Sequence, residues 1–200
     1  MYPGPPTATA RSPRADAVRN HARVLEAGAE AFAEHGAEVQ MDDVAARAGV
    51  GVGTVYRHFA TKQDLLDALL LERIGEALEA ARDARGAHDP WDGFASVMRR
   101  AAEMQAADRG FADLLAAGAG QTEAVQRAKA ELHEAIATVM ARAQDAGELR
   151  PDVSIADVPG LMCSLAGVVS MADRAGWERY LAILLDGLRA SGTSAPPLPR

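Results

Sequence analysis

AARAGVGVGTVYRHFATK, residues 45–62, is the stretch whose reading decides the fold. Val44, Ala45 and Ala48 follow helical spacing, Gly49 falls where the chain must turn sharply, and Val50 opens a second apolar set with Val55 and Phe59. Two short helices joined by a glycine-containing turn form a helix-turn-helix, the arrangement that presents its second helix to DNA. The charged residues between Val44 and Gln63 are Arg47, Arg57 and Lys62, with no acid among them. A phosphate backbone favours that sign.

Working outward, the remaining sequence also reads as helix. Aromatic residues make up 4% of the chain, alanine is abundant, and no β-branched run alternates with period two, so the expectation is an all-α fold of about nine helices. A first helix is expected over Arg14–His35, with Ala17, Val24, Ala27, Ala31 and Phe32 on its apolar side and Gly36 as its stop. A second covers Met41–Ala48, and the reading helix starts after Gly51. Lys62–Ala84 forms a longer helix with Leu65, Leu66, Leu69, Leu70, Ile74 and Leu78 on one side. Past the Gly86–Pro90 loop, Trp91, Phe94, Met98, Ala101 and Ala102 mark another helix, and a short segment follows at Phe111–Ala117. Thr122–Ala146 is a long amphipathic helix closed by Gly147 and Pro151. The next starts near Ser154 or Asp157, with Pro159 favouring the later start, and the last covers Trp177–Ala190. The implied organisation is a three-helix unit over residues 14–61 and a helical domain over 62–190, flanked by disordered tails at 1–13 and 191–200.

A net charge of −7 weighs against nucleic acid only until its distribution is considered. Residues 11–23 carry Arg11, Arg14, Arg19 and Arg23 against Asp16. Residues 24–43 hold Glu26, Glu30, Glu34, Glu38, Asp42 and Asp43 without a Lys or Arg, and the cationic 44–63 stretch follows. Charge segregated in this way turns one side of a small domain toward phosphates and the other toward solvent. The single cysteine, Cys163, excludes an internal disulfide framework, and its neighbours Met162 and Leu165 predict a buried thiol. No apolar run approaches the roughly 18 residues of a membrane span, and residues 1–13 carry no signal-peptide apolar core, so a cytoplasmic protein is expected.

The run AGVGVGTVYRHFATKQDLL, residues 48–66, resembles the signature of the TetR family of bacterial transcriptional regulators. The matching positions are the turn Gly49, Val50, Gly53-Thr54, Tyr56, His58-Phe59, Lys62 and the Leu65-Leu66 pair. The resemblance extends from about Arg14 to Leu71, and beyond that it rests on helical layout. It implies an N-terminal three-helix DNA-binding domain, a C-terminal helical ligand-binding and dimerisation domain, and no enzymatic activity. The family commonly has Ser or Thr where Gln40 stands and Ser where Gly51 stands, so both helix starts are expected to be weakly capped.

Val52, Gly53, Thr54, Arg57 and His58 are the candidates for facing a major groove. Thr54 can bond a phosphate or base, and Arg57 can reach guanine or phosphate. By resemblance Tyr56 and Lys62 contact phosphate, and Gln40, Met41 and Asp42 lie at the entry of the second helix, where the family places further contacts. Phosphates repel an Asp42 carboxylate unless it accepts from cytosine, so its alternative role is to complement the helix dipole. For Tyr56 the alternative is packing with Val55 and Phe59.

TetR-like regulators usually bind a small molecule in the C-terminal domain. Trp91, Phe94, Met98, Met104, Gln105, Phe111, His133 and Met140 are the candidate lining, with plain core as the alternative for each. The final two helices are too apolar for a monomer surface, which predicts a homodimer through Leu161, Leu165, Val168, Val169, Tyr180, Leu181, Leu184 and Leu188. The expected partners are operator DNA, a second copy and an unidentified effector. No cofactor or metal is expected. The histidines at 21, 35, 58, 88 and 133 lack metal-ligand spacing, and GVGVG lacks the preceding strand and following Gly-Lys-Ser/Thr of a nucleotide loop. The expected activity is repression at a palindromic operator, relieved by the effector. The alternative is a helical ligand-binding protein or enzyme that does not bind DNA.

Overall fold

The computed structural model describes residues 13–107, 120–171 and 176–190. Eight α-helices run through them: α1 (Pro13–His35), α2 (Met41–Ala48), α3 (Val52–His58), α4 (Lys62–Ala84), α5 (Pro90–Ala107), α6 (Glu123–Asp145), α7 (Asp157–Met171) and α8 (Trp177–Leu188). Among the described residues the only β-type pairing is an isolated bridge between Leu149 and Arg189. The Phe111–Ala117 segment and residues 1–12 and 191–200 of the expected tails lie outside the described residues, and Pro13, expected in the first tail, opens α1.

The helices pack around two apolar cores. The first joins Val24, Ala27, Ala31 and Phe32 of α1 to Val44, Ala45 and Ala48 of α2, Val55 of α3, Phe59, and Leu65, Leu66, Leu69 and Leu70 of α4. The turn between α2 and α3 depends on Gly49 at φ 64°, ψ 36°, a left-handed conformation that costs an L-residue with a Cβ. Arg23 of α1 donates to the Ala48 carbonyl at the same turn. A cation grouped by sequence with the phosphate-facing set thus closes the C-terminus of α2.

The start of α2 corrects the expectation of a weak cap. The Asp43 carboxylate accepts from the Gln40 backbone N–H at 3.0 Å, and the Gln40 side-chain amide donates to the Glu38 carbonyl at 2.9 Å. Asp43 therefore supplies the return half of a capping box. At α4, Thr61 and Asp64 form a reciprocal box, with bonds of 2.9 and 3.1 Å.

The second core is built from Leu78 and Ala81 of α4, Trp91, Phe94 and Met98 of α5, Val139 and Met140 of α6, Met162 and Leu165 of α7, and Leu181 and Leu188 of α8. Its corners are tied by polar groups. Arg142 of α6 donates to the Ala87 carbonyl at 3.0 Å and to the Arg85 carbonyl just beyond α4. The Arg189 guanidinium lies 4.2 Å from the centre of the Trp91 ring, a cation–π contact. Asp157 accepts from the N–H and hydroxyl of Ser154 at 2.7 and 2.9 Å, which sets the later of the two starts expected for α7.

Helix α4 belongs to both cores, and Asp67 lies on its buried side. This carboxyl is 5% exposed and accepts from the Gly120 backbone N–H at 2.8 Å and from the Gln63 amide at 3.0 Å. Burial opposes its ionisation, but the bonds from Gly120, Thr122 and Gln63 and the nearby Lys129 charge prevail, holding its pKa below the usual carboxylate value. The bond fastens the half of α4 nearest the helix-turn-helix to the residues that lead into α6.

Replacing Asp67 by Ala leaves the buried Gly120 N–H without its acceptor. Urea unfolding at neutral pH is expected to give a loss of about 1–3 kcal/mol. Because the folded pKa lies below the unfolded value of about 3.9, this contribution is full above that pH and fades as pH falls through the folded value. The gap between wild type and variant should therefore narrow in acid and stay constant from pH 5 to 8.

Candidate functional site

The second helix of the helix-turn-helix, α3, holds its place through one side and leaves the other open. Val55 and the following Phe59 are buried, whereas Val52 and Tyr56 are 40% and 50% exposed. Arg57 is also exposed, and Thr54 is half-buried. Their spacing places Val52, Gly53, Tyr56 and Arg57 on the outer side of the helix. A Cβ added at Gly53 meets nothing within 4 Å. The fold does not require glycine there, although glycine weakens a helix by up to about 1 kcal/mol relative to alanine. An approaching backbone is a physical reason to keep it.

Other predicted contacts take different positions. Met41 is buried in the first core, so its side chain is removed from the DNA-facing set. This is a correction: the first turn of α2 directs Met41 inward with Val44 and Ala45, and Gln40 and Asp42 outward. The ring of His58 is half-buried, 5.6 Å from that of His21 of α1, which itself lies 5.0 Å from Phe59. Lys62, at the start of α4, has its ammonium 5.6 Å from the centre of the Phe32 ring.

Arg47 requires a second correction. Its guanidinium makes a two-pronged bond to Glu34 of α1, one arm measuring 2.9 Å, and lies 3.4 Å from Glu30. The bond from Arg47 holds Glu34 below the usual carboxylate range, and the Arg47 pKa is raised in turn. The acidic stretch thus neutralises Arg47, one of the three cations assigned to the phosphate face.

Behind this unit, α4, α5, α6 and the start of α7 enclose a cavity of about 590 Å³. Most of its wall is apolar, including Ile74, Ala77, Val97, Ile136, Val158 and Met162. Three of the eight expected lining residues, Met104, Gln105 and His133, border it. Trp91, Phe94, Met98 and Met140 instead pack in the second core, a correction that follows from the aromatic pair Trp91–Phe94 filling the corner beside Arg189. Phe111 lies outside the described residues. Sequence reasoning missed Arg73, Arg100, Gln126 and Lys129, which lie off the apolar positions from which the lining was read.

The predicted dimer surface also divides. Leu165, Leu181 and Leu188 are buried within the same chain's core, because their sides of α7 and α8 face α5. This removes them from an outer surface. Tyr180 and Ile183 are 44% and 58% exposed, and Leu161 and Leu184 are partly buried. Nothing is described for the side chains of Val168 and Val169. Cys163 is exposed, which corrects the expected buried thiol: Met162 and Leu165 take the inner side of α7, and Cys163 lies on the outer side with Ser164 and Gly167.

Two family matches cover most of this architecture. Residues 24–69 match the family described as bacterial regulatory proteins, tetR family, and residues 89–190 match the SbtR-like transcriptional regulator C-terminal domain. The chain belongs to the TetR family. A TetR transcription regulatory protein from Mycobacterium vanbaalenii is 37% identical, with 88% of this chain and 98% of that chain covered and a TM-score of 0.64. A transcriptional regulator FadR from Bacillus subtilis, solved in complex with stearoyl-CoA, shares the fold at 19% identity, covering 84% and 99% of the two chains with a TM-score of 0.66. An HTH-type transcriptional regulator from Staphylococcus aureus, SAB2452, is 43% identical over 53 residues, 26% of this chain and 29% of that relative's length. The chain is thus a TetR-family transcriptional regulator with a helix-turn-helix. Among the described residues no helix is long and apolar enough to cross a membrane.

Within this TetR frame, Gly53→Ala should move two measurements in opposite directions, raising unfolding stability by up to about 1 kcal/mol and weakening DNA retention in a gel shift. The cations separate by salt dependence. Lys62→Ala should weaken binding to all duplexes and reduce the slope of log K against log salt by about 1, whereas Arg47→Ala should leave that slope unchanged. Arg57→Ala should relax base preference, read from competition between duplexes.

Proposed function

We propose that this chain is a repressor that binds a palindromic operator as a homodimer and is released when a small molecule occupies the cavity between α4 and α7. The carrying observation is the double membership of α4. Leu65, Leu66, Leu69 and Leu70 anchor it to the helix-turn-helix, while Arg73, Ile74, Ala77 and Ala80 of the same helix line the cavity. A ligand that prefers one setting of α4 biases the position of the reading helix. Linkage then requires DNA to weaken ligand binding by the factor by which the ligand weakens DNA binding. The stearoyl-CoA complex of the Bacillus subtilis neighbour supports the capacity of this fold to hold a small molecule. The operator places the protein in the cytoplasm, and no cofactor is assigned to it.

The dimer reading rests on the outer face of α7 and α8. Leu161, Tyr180, Ile183 and Leu184 offer apolar area there, and Gly160, Ser164, Gly167 and Gly187 keep the surface low enough for another helix pair to approach closely. Two such faces related by a two-fold axis form a four-helix contact. Half-sites then lie about one helical turn, roughly 34 Å, or a multiple apart.

Selection of bound duplexes from a random pool, followed by a gel shift with the candidate effector present, tests the operator and its release. A recovered palindrome supports the reading, and a pool without inverted symmetry overturns it. For assembly, sedimentation at micromolar concentration should give the mass of two chains. Ile183→Asp, at an exposed position that does not serve the chain's own core, should give one chain of unchanged helical content and at least tenfold weaker operator binding. A single-chain mass for the wild type would refute the dimer.

A further inference from the structure

The cavity has a polar end and an apolar end, and the helix directions fix which is which. α5 follows α4 after a short loop and runs back along it, with Arg100 3.4 Å from Glu76. α6 runs with α4: its approach is bound to Asp67 through Gly120, and its Arg142 reaches the carbonyls just beyond α4. Arg73, Gln105, Gln126 and Lys129 therefore border the end nearest the helix-turn-helix. Ala80, Val97, Ile136 and Met162 border the far end, where the described lining is apolar.

The charged side chains that line the cavity have one sign. Among the described lining residues are Arg73, Arg100 and Lys129 but no carboxylate. Glu76 and Glu103 hold Arg100 at 3.4 and 3.6 Å, and Glu76 holds Arg73 at 3.6 Å, so the two arginines are partly neutralised. The acid nearest in influence to Lys129 is Asp67, whose Oδ1 accepts from Gly120 and Gln63 and whose Oδ2 is buried without a partner among the described residues. The Lys129 charge is thus partly balanced too, and the three cations together leave a positive excess on the lining. Gln105 adds an independent observation: among the described residues its buried Oε1 has no hydrogen-bond partner. Buried polar atoms are ordinarily satisfied, and a side-chain amide can turn either its oxygen or its N–H groups to a ligand. A volume of about 590 Å³ falls within the range of sites that enclose small molecules.

We propose that the cavity takes an amphiphile with an anionic head and a hydrocarbon tail, the head at Lys129 and Gln105 and the tail directed toward α7. The inference rests on the reading of this cavity as the effector site and adds the ligand's class and orientation. A cationic head meets charged lining groups of its own sign, and a neutral one forms no charge-assisted bond with Lys129.

The test uses the full chain with dodecanoate, dodecanol and dodecylamine, each below its micelle concentration, read by calorimetry and melting temperature. Dodecanoate is expected to bind about tenfold or more tighter than dodecanol, the value of one charge-assisted bond, and dodecylamine more weakly than either. Lys129→Met should abolish the preference for dodecanoate while retaining dodecanol binding, which also reports that the variant is folded. Equal binding of the three probes, a preference for the amine, or an undiminished carboxylate preference in Lys129→Met overturns the proposal. Operator release is measured separately. Dodecanoate binding without release leaves the ligand class standing and removes the effector role, whereas failure to bind dodecanoate preferentially removes the class alone.

Discussion

The structure depends on one helix being shared by two apolar cores. α4 gives four leucines to the helix-turn-helix and then Leu78, Ala81 and Ala84 to the second core. Side chains interlocked on both ends cannot be repacked at small cost, because protein interiors are close-packed. The polar fastenings have the same distribution. Thr61 and Asp64 fix where α4 begins, Asp67 binds its first half to the approach of α6, and Arg142 holds the corner beyond its end. The reading helix and the cavity therefore have a common rigid wall.

Electrostatics narrows the surface available to DNA. The chain is acidic overall, and the acids of α1 do more than face solvent, since Glu30 and Glu34 bind Arg47 to α1. Arg23 likewise serves the end of α2. The cations left near the reading helix are few, and the groups on its outer side are small or uncharged apart from Arg57. Sequence discrimination by such a face draws on shape and close backbone approach as well as on hydrogen bonds to base edges.

Periodicity made the elements legible, because an apolar stripe reports which side of a helix is buried without naming its partner. The bounds of α2 and α4 and the burial of Val55 and Phe59 follow from that signal, whereas the later start of α7 follows from Pro159. What it could not supply was pairing between helices. Arg47 and Glu34 are 13 positions apart, and nothing local distinguishes a cation facing phosphate from one facing a neighbouring carboxylate. Leu165 and Leu181 are as apolar as an interface requires, but one helix side can face α5 while the next faces outward. Cys163 beside Met162 illustrates the same one-residue rotation. Asp67 did carry a sequence signal that was passed over: it stands in register with Leu70 and Ile74, an acid within the buried stripe. Such a residue must have partners, though only the fold identifies Gly120.

The length of α4 sets a mechanical scale. Its 23 residues, at about 1.5 Å of rise each, make a rod of about 34 Å whose near end carries the reading head. If the rod pivots at the corner held by Arg142, a tilt of about 5° displaces its opposite tip by about 3 Å, comparable to a whole hydrogen-bond length. In a two-fold pair the displacements are mirrored, so the gap between heads changes by about twice that amount. A shift too small to disturb either core can therefore carry two helices out of register with successive major grooves.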